Sequence, residues 1–439
     1  MAYYGIDLGT TNSLIGLHSE NYLSDLVPSC VNFETGVVGK EAYNDMSAKR
    51  SFKVDISMGT EGIMPRAASA QVLKELRRVA GGSKVEDVVI SVPAYFSDNQ
   101  RQATVEAAKE AGLNVLSLVN EPTAAAMYIA QQRKSLFVVY DLGGGTFDVS
   151  VIDARFGTYD VQATDGKIVG GDNFDKAILQ YFVKQGGVPL HKMNASSVAA
   201  FQHYACHMKV EMQKRQTDFE VDLSPWNGHK LLFKTADYIQ LMKLTFGDTL
   251  SLLKRVVAAS IPPNEKYEVL LVGGSTRCPF LRKWLEEETG MDIPAPTYDP
   301  DRVVAQGAAL YAHIMETSDI DMTVSDVTKA LSIEMADGTC KVIVESNSKI
   351  PLSKEQMVCN SVAGDKLQVN LLQGESTFAR DNECIGTLVY NYGESKEAFE
   401  GNVIVTIDID NKGTIMFSVK ELLKAPKVVI LDRTTAVVK

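Results

Sequence analysis

The chain has 439 residues, 45% hydrophobic and 23% charged, with a formal net charge of −11. That length exceeds one ordinary core, so two or three domains are expected, and the composition is that of a globular protein. The acidic balance excludes non-specific nucleic-acid binding, because phosphate repels such a surface, but it leaves room for a nucleotide held by a few amides and one lysine.

The opening Met1–Ile6 lacks the basic start and apolar core of a secretory signal. No apolar run approaches the ~18 residues of a membrane helix. Six scattered cysteines (Cys30, Cys206, Cys278, Cys340, Cys359, Cys384) form no C-x-x-C pair and read as reduced thiols, and the histidines form no metal-spaced cluster. Together these features predict a cytoplasmic protein with no membrane partner.

In chain order, Ser69 is placed to cap a helix with Val72, Leu73, Leu76 and Val79 on one face, ended by Gly81-Gly82. A strand follows at Asp87–Val92, then a helix that starts after Asp98 and ends at Gly112. Leu136–Asp141, Phe147–Ile152 and Glu268–Val272 are further strands, rich in β-branched and aromatic residues. Strands alternating with helices imply a mainly parallel sheet covered by helices. From about Ala330 the pattern becomes strict alternation, as in Val403, Val405, Ile407 and Ile409 or in Leu367, Val369 and Leu371. Turn signals at Ala336-Asp337-Gly338, Ala363-Gly364-Asp365 and Asn411-Lys412-Gly413 punctuate it, the signature of an antiparallel sandwich. The polar, acidic stretch between the two patterns reads as a linker, giving domains 1–316 and 329–439 joined by 317–328.

One segment echoes another. Ile6-Asp7-Leu8-Gly9-Thr10-Thr11 recurs as Tyr140-Asp141-Leu142-Gly143-Gly144-Gly145-Thr146, each running strand, aspartate, small-residue turn, strand. The duplication implies two lobes facing across a cleft. Each turn is half of a phosphate clamp, since glycines let backbone N–H groups approach phosphate oxygens. The strand-end aspartates would repel those phosphates unless a divalent cation lay between them, and magnesium with its waters is the usual partner. The bland alternative, two ordinary tight turns, must explain the coincidence twice. A third turn, Leu271-Val272-Gly273-Gly274-Ser275-Thr276-Arg277, is placed to accept adenosine on its backbone with the arginine over the base, or is simply a strand–helix junction. No G-x-x-x-x-G-K-[ST] motif occurs.

The segments Gly5–Ser13, Val92–Phe96, Asn120–Ala126, Asp141–Asp148 and L-V-G-G-S-T-R, followed by Leu371–Glu375 and Ala379–Asn382, resemble the ordered motifs of the seventy-kilodalton heat-shock chaperones. The resemblance implies an α/β two-lobed actin-like ATPase domain followed by an all-β sandwich peptide-binding domain. It implies that Asp7, Asp141 and Asp148 surround a magnesium ion and the attacking water, Asp7 and Asp141 through water, with Glu121 beside them. Gly9, Thr10, Thr11, Asn12, Gly143, Gly144, Gly145 and Thr146 would cradle phosphates. Gly170, Gly171, Lys209, Gly273, Gly274, Ser275 and Arg277 would complete the nucleotide site. A lysine is needed at the γ-phosphate, and Lys53 is the candidate. Pro93 and Arg101 resemble an interdomain relay, and Ile333, Ala336, Val358, Leu367 and Val369 fall at peptide-contact positions, with core packing as their other reading. ATP or ADP, Mg2+ and K+ would be the ligands. Unfolded or extended polypeptides, a J-domain co-chaperone and a nucleotide exchange factor would be the partners.

The sequence also departs from that pattern. The stretch between Gly39 and Ser69 is short, so a subdomain at the cleft edge is expected to be reduced. Cys206 stands where a ribose-binding glutamate is expected and Gln213 where a serine is expected. Met322–Val327 lacks the family's leucine run, and no helical lid follows the last strand before Lys439. These departures leave a second reading, a weakly hydrolysing nucleotide-gated co-chaperone that recruits partners. A small-molecule kinase on the same scaffold is the third, and the N-E-P-T-A-A-A segment and trailing sandwich argue against it.

Overall fold

The computed structural model describes residues 2–439 except 44, 46, 58–62, 318–325, 328, 347, 410–414, 422–426, 431–435 and 439. The chain divides into two compact units. One comprises Met1–Ala94, Ala103–Val115 and Val119–Thr317; the other comprises Ser318–Lys439 with Tyr95–Gln102 and Leu116–Leu118.

The first unit is α/β. Its N-terminal sheet contains β1 (Tyr4–Leu8), β2 (Asn12–Leu17), β3 (Tyr22–Leu23), β4 (Val27–Pro28), β5 (Asp87–Val92) and β6 (Asn114–Asn120), in the order β3-β2-β1-β5-β6 with β4 beside β2. Helices α1 (Phe52–Ser57), α2 (Ile63–Val79), α3 (Asp98–Glu110) and α4 (Glu121–Ala130) are interspersed. The predicted cap at Ser69 is corrected. The helix begins at Ile63, with Pro65 in its first turn, where a missing N–H costs nothing. Ser69 lies inside, its hydroxyl turned back onto the Pro65 carbonyl at 3.0 Å.

The second sheet runs β9-β8-β7-β12, from β7 (Leu136–Leu142), β8 (Phe147–Asp153), β9 (Asp160–Lys167) and, further on, β12 (Glu268–Val272). Between them lie α5 (Gly171–Gly186), α6 (Ala195–Arg215), the hairpin β10 (Phe219–Asp222) and β11 (Lys230–Phe233), and α7 (Thr235–Ser260). Then come α8 (Pro279–Thr289) and α9 (Val303–Thr317). All seven residues of β7 are buried, which its Leu-Phe-Val-Val-Tyr run demands of a central strand. The sequence echo is also a structural one. In each copy a strand ending in aspartate turns back antiparallel on the next strand and pairs in parallel with a later one: β1 with β2 and β5, β7 with β8 and β12.

Among the described residues after Thr317, the second unit is β apart from a short 3-10 turn at Ala379–Asp381. It holds β13 (Asp326–Val327), β14 (Leu331–Glu334), β15 (Cys340–Val344), β16 (Ser348–Lys349), β17 (Leu352–Cys359) and β18 (Gly364–Gln373). It continues with β19 (Glu383–Lys396), β20 (Asn402–Ile409), β21 (Ile415–Glu421), β22 (Lys427–Ile430) and β23 (Ala436–Val438). Two main sheets, β15-β14-β18-β19-β23 and β17-β20-β21-β22, enclose one core in which Val403, Val405, Ile407 and Phe417 are fully buried. The alternating burial along β20 matches the alternation in its sequence. Most of the expected linker lies outside the described residues, but Thr317 ends α9, and Asp326-Val327 form strand β13 against β16 rather than connecting chain. The turn at Asn411-Lys412-Gly413 lies outside the described residues.

Candidate functional site

The loops of the two repeats meet in the first unit. Gly143 N–H donates to the Thr146 carbonyl at 3.0 Å, closing the second loop. The first loop is braced by the Ser29 hydroxyl, which donates to the Gly9 carbonyl at 2.7 Å. The loops approach so closely that a Cβ at Gly144 would stand 2.0 Å from Thr11 Oγ1, so a larger residue would have to displace that hydroxyl. The start of α5 is tied to the second loop: Gly171 N–H donates to Gly143 O at 3.0 Å and Asp172 N–H to Gly144 O at 2.7 Å. The third turn docks against the same loop through the Ser275 hydroxyl, 2.8 Å from Gly143 O. Gly273 has φ +84°, and a Cβ there would meet the Leu142 carbonyl at 2.5 Å and Asp141 Oδ1 at 2.7 Å.

Together these turns enclose a cavity of about 370 Å³, within the range of small-molecule sites. It is lined by Asp7, Gly9, Thr10, Thr11, Asn12, Lys53, Glu121, Asp141, Gly143, Gly144, Thr146, Gly171, Lys209, Gly273, Gly274, Ser275 and Arg277. Among the predicted nucleotide-site residues, Asp148, Gly145 and Gly170 do not line it. Asp148 is buried opposite Asp141 in the β7–β8 register, and its Oδ1 accepts from Ala94 N–H at 3.0 Å. That bond fixes the strand end carrying buried Pro93. Arg101, on α3, donates from Nε to the Phe96 carbonyl at 3.3 Å.

The cavity floor is electrostatically strained. Lys53 Nζ lies 2.5 Å from Glu121 Oε1, and both side chains are buried. Burial pushes the Asp7 carboxyl up to about 7, reinforced by Glu121 and opposed by Lys53 and by the Ser91 hydroxyl, which donates to Asp7 Oδ1 at 2.9 Å. Asp141 is held well above the usual carboxylate range by burial and then by Glu121, Asp148 and Asp7. Burial alone would lower the Lys53 ammonium, but Glu121 and Asp7 outweigh it and raise it. Crowded carboxylates around Lys53 in a cleft are suited to added positive charge.

The donor set is oxygen only on this floor, the choice of a hard cation such as magnesium. Among the described residues, no three His, Cys, Asp or Glu side chains are arranged to hold an ion directly. Asp7 and Asp141 offer carboxylate oxygens on this floor, the donor type a hard cation takes.

Other predicted residues have partners of their own. Arg277 is clamped by Asp299 and, at 2.5 Å, by Asp301, so its guanidinium is fixed at the cavity edge. Lys209 pairs with Asp175 at 2.8 Å. Sequence reasoning took the nucleoside end to lack a carboxylate because of Cys206; the structure brings Asp175 of α5 to that end, beside Cys206 and Lys209. Gln213 donates to the Tyr238 hydroxyl at 2.9 Å. Also missed was the contact of Ser51 Oγ with Asp172 Oδ2 at 2.5 Å, which closes the cleft between residues 121 positions apart. The only signal for Asp175 was its spacing from Asp172, Lys176 and Leu179 on one face of α5. The shortened stretch from Gly39 to Ser69 contains α1, with residues 44, 46 and 58–62 outside the described ones.

In the second unit, Ile333 and Val369 are buried in the sandwich core, and Val358 and Leu367 are half-buried against it. Ala336 is exposed in the turn after β14.

A family model described as "Hsp70 protein" matches residues 39–431. The chain is also 33% identical, over 471 aligned positions, to a protein named "Chaperone protein HscA homolog" from Colwellia psychrerythraea (strain 34H / ATCC BAA-681). That alignment covers 95% of this chain and 76% of the relative. The chain is thus a nucleotide-binding protein in general terms, and it belongs to the Hsp70 family. Its members are ATP-binding, magnesium-using chaperones that work with co-chaperones on polypeptides, so an ATP-dependent function of the chaperone type follows in general terms. Among the described residues, no helix is long and apolar enough to cross a membrane.

Proposed function

We propose that the first unit is an actin-like ATPase and the second a sandwich that grips extended apolar peptide, with nucleotide state controlling the grip. The observation that carries this reading is the convergence of the two repeated loops on one cavity whose floor holds Asp7, Asp141, Glu121 and Lys53. In that cavity Thr10, Thr11, Gly144 and Thr146 bind the β- and γ-phosphates of ATP. Lys53 offsets the charge that develops on the transferred group, and Glu121 orients the attacking water. Asp148, tied to the Ala94 amide, fixes the strand on which Asp141 sits opposite it. Water adds to the γ-phosphorus, the bond to the bridging oxygen of ADP breaks, and the water's proton leaves with phosphate. Magnesium, when bound, neutralises phosphate charge at Asp7 and Asp141. An extended peptide would be held by main-chain hydrogen bonds to the sandwich, with its side chains near the half-buried Val358 or Leu367. J-domain and exchange-factor partners, and a potassium ion, fit the same reading.

A second reading, a nucleotide-gated recruiter that turns over little, is favoured by Cys206 at the nucleoside end. The two readings differ in ATP turnover, and the nucleotide control of the grip that the first needs is tested by a peptide-release assay on the whole chain. Release of a fluorescent apolar peptide at least about tenfold faster with Mg-ATP than with Mg-ADP supports the chaperone cycle. Equal release rates despite saturating nucleotide would overturn it.

A further inference from the structure

Beside the nucleotide cavity lies a larger one, of about 660 Å³, and the two share Thr10, Thr11, Asp172, Asp175 and Cys206 in their walls. Two helix faces build it. Asp172, Asp175, Lys176 and Leu179 recur at i, i+3, i+4 and i+7 along α5, and Ala199, Gln202, His203 and Cys206 do the same along α6. The third wall comes from the stretch that carries Tyr43 and Arg50, where the Tyr43 and His203 rings meet edge-on at 5.6 Å.

The carboxylates around this space are already engaged. Asp55 pairs with Lys49 at 2.5 Å, Asp172 accepts from Ser51 at 2.5 Å, and Asp175 pairs with Lys209 at 2.8 Å. Positive charge remains on this lining beside the aromatic pair, from Lys176 and from Arg50, whose guanidinium donates to the Tyr43 carbonyl and lies over the Tyr43 ring. Cys206, whose side chain is shorter than a glutamate's, lines both cavities. A space of this size, opening from the nucleoside end and offering rings and cations, suits a planar group with acceptor atoms.

We propose that this annex is a second subsite, and that the cleft takes adenine nucleotides carrying a ring-bearing substituent on a ribose hydroxyl. The proposal rests on the nucleotide reading above: the ribose faces Cys206 and Lys209, and the substituent passes Cys206 to lie between α5, α6 and Tyr43. Ala199 lines the annex but not the nucleotide cavity, so a bulky residue there fills the subsite and leaves the nucleotide's own walls intact.

The test compares ADP with 2′/3′-O-(N-methylanthraniloyl)-ADP, with magnesium, on the whole chain and on Ala199→Phe and Gln202→Trp, which fill the annex from successive turns of α6. The proposal expects the substituted nucleotide to bind about fivefold or more tighter than ADP to the wild type. Both variants should lose that advantage while their ADP affinity stays within about twofold, which also reports that they are folded. Equal or weaker binding of the substituted nucleotide, or an advantage that survives in both variants, overturns the subsite while leaving the nucleotide reading standing. Failure of the wild type to bind either nucleotide sinks the nucleotide reading, and the subsite with it.

Discussion

Replacing Lys53 by methionine keeps the side chain's length and removes its charge from a place where only 5% of the residue is exposed. Its partner Glu121, 2.5 Å away and 7% exposed, is then left as a buried carboxylate beside Asp7 and Asp141. Breaking a buried pair from one side costs about 3–5 kcal/mol, because the remaining charge is uncompensated. For a unit of this size that is a fall in Tm of about 5–10 °C. Lys53→Met/Glu121→Gln removes both charges and should recover more than half of the loss. The sign with pH follows from the carboxylates. Asp7 and Asp141 already bind protons more readily folded than unfolded, and losing Lys53 strengthens that bias. Where the folded state holds more protons than the unfolded state, stability falls as pH rises. The deficit of Lys53→Met should therefore be smaller at pH 6 than at pH 8. Thermal unfolding of the nucleotide-free chain followed by circular dichroism measures all of this. A single variant as stable as wild type, or a double variant no better than the single, would refute the charge-compensation argument.

Gly273→Ala and Gly36→Ala both place a side chain at positive φ, which costs about 1 kcal/mol, but only the first also drives a Cβ into backbone, so chemical denaturation should show it less stable by at least about 2 kcal/mol more. Burial pushes the Cys206 thiol up to about 11, so at pH 8 only about one molecule in a thousand carries the thiolate there. Iodoacetamide followed by peptide mass spectrometry should label the exposed Cys359 and Cys384 first, and labelling of Cys206 should climb as pH is raised; early labelling of Cys206 would contradict its raised pKa. In the sandwich, Phe417→Ala should cost about 3–5 kcal/mol in urea unfolding, since Phe417 is fully buried at the centre of that core.

What the sequence revealed and what it hid divide along a physical line. Strands such as Asp87–Val92 and Glu268–Val272 appear with the bounds read from their β-branched runs, because burial on both faces leaves an unbroken apolar pattern. The repeated hairpins were legible because glycine and aspartate at fixed spacing report backbone geometry directly. Ser69 misled because serine serves equally as a cap and as a mid-helix residue bonded to the carbonyl four positions back, and the pattern before it is obscured by Pro65. The pairs Ser51–Asp172 and Lys209–Asp175 could not be read, since they join different elements and depend on how helices pack on the sheets. The commitment of Arg277 to Asp299 and Asp301 was hidden for the same reason.

On the proposed reading, the cavity beneath the two loops hydrolyses ATP with Lys53 at the γ-phosphate. Single-turnover cleavage of radiolabelled ATP with magnesium, on wild type and Lys53→Met below the variant's melting temperature, tests it most directly. The account predicts slow cleavage by the wild type, lost on chelation of magnesium and reduced at least about a hundredfold in the variant while ATP still binds. Wild type that binds ATP without cleaving it, or a variant that cleaves at the wild-type rate, would contradict it.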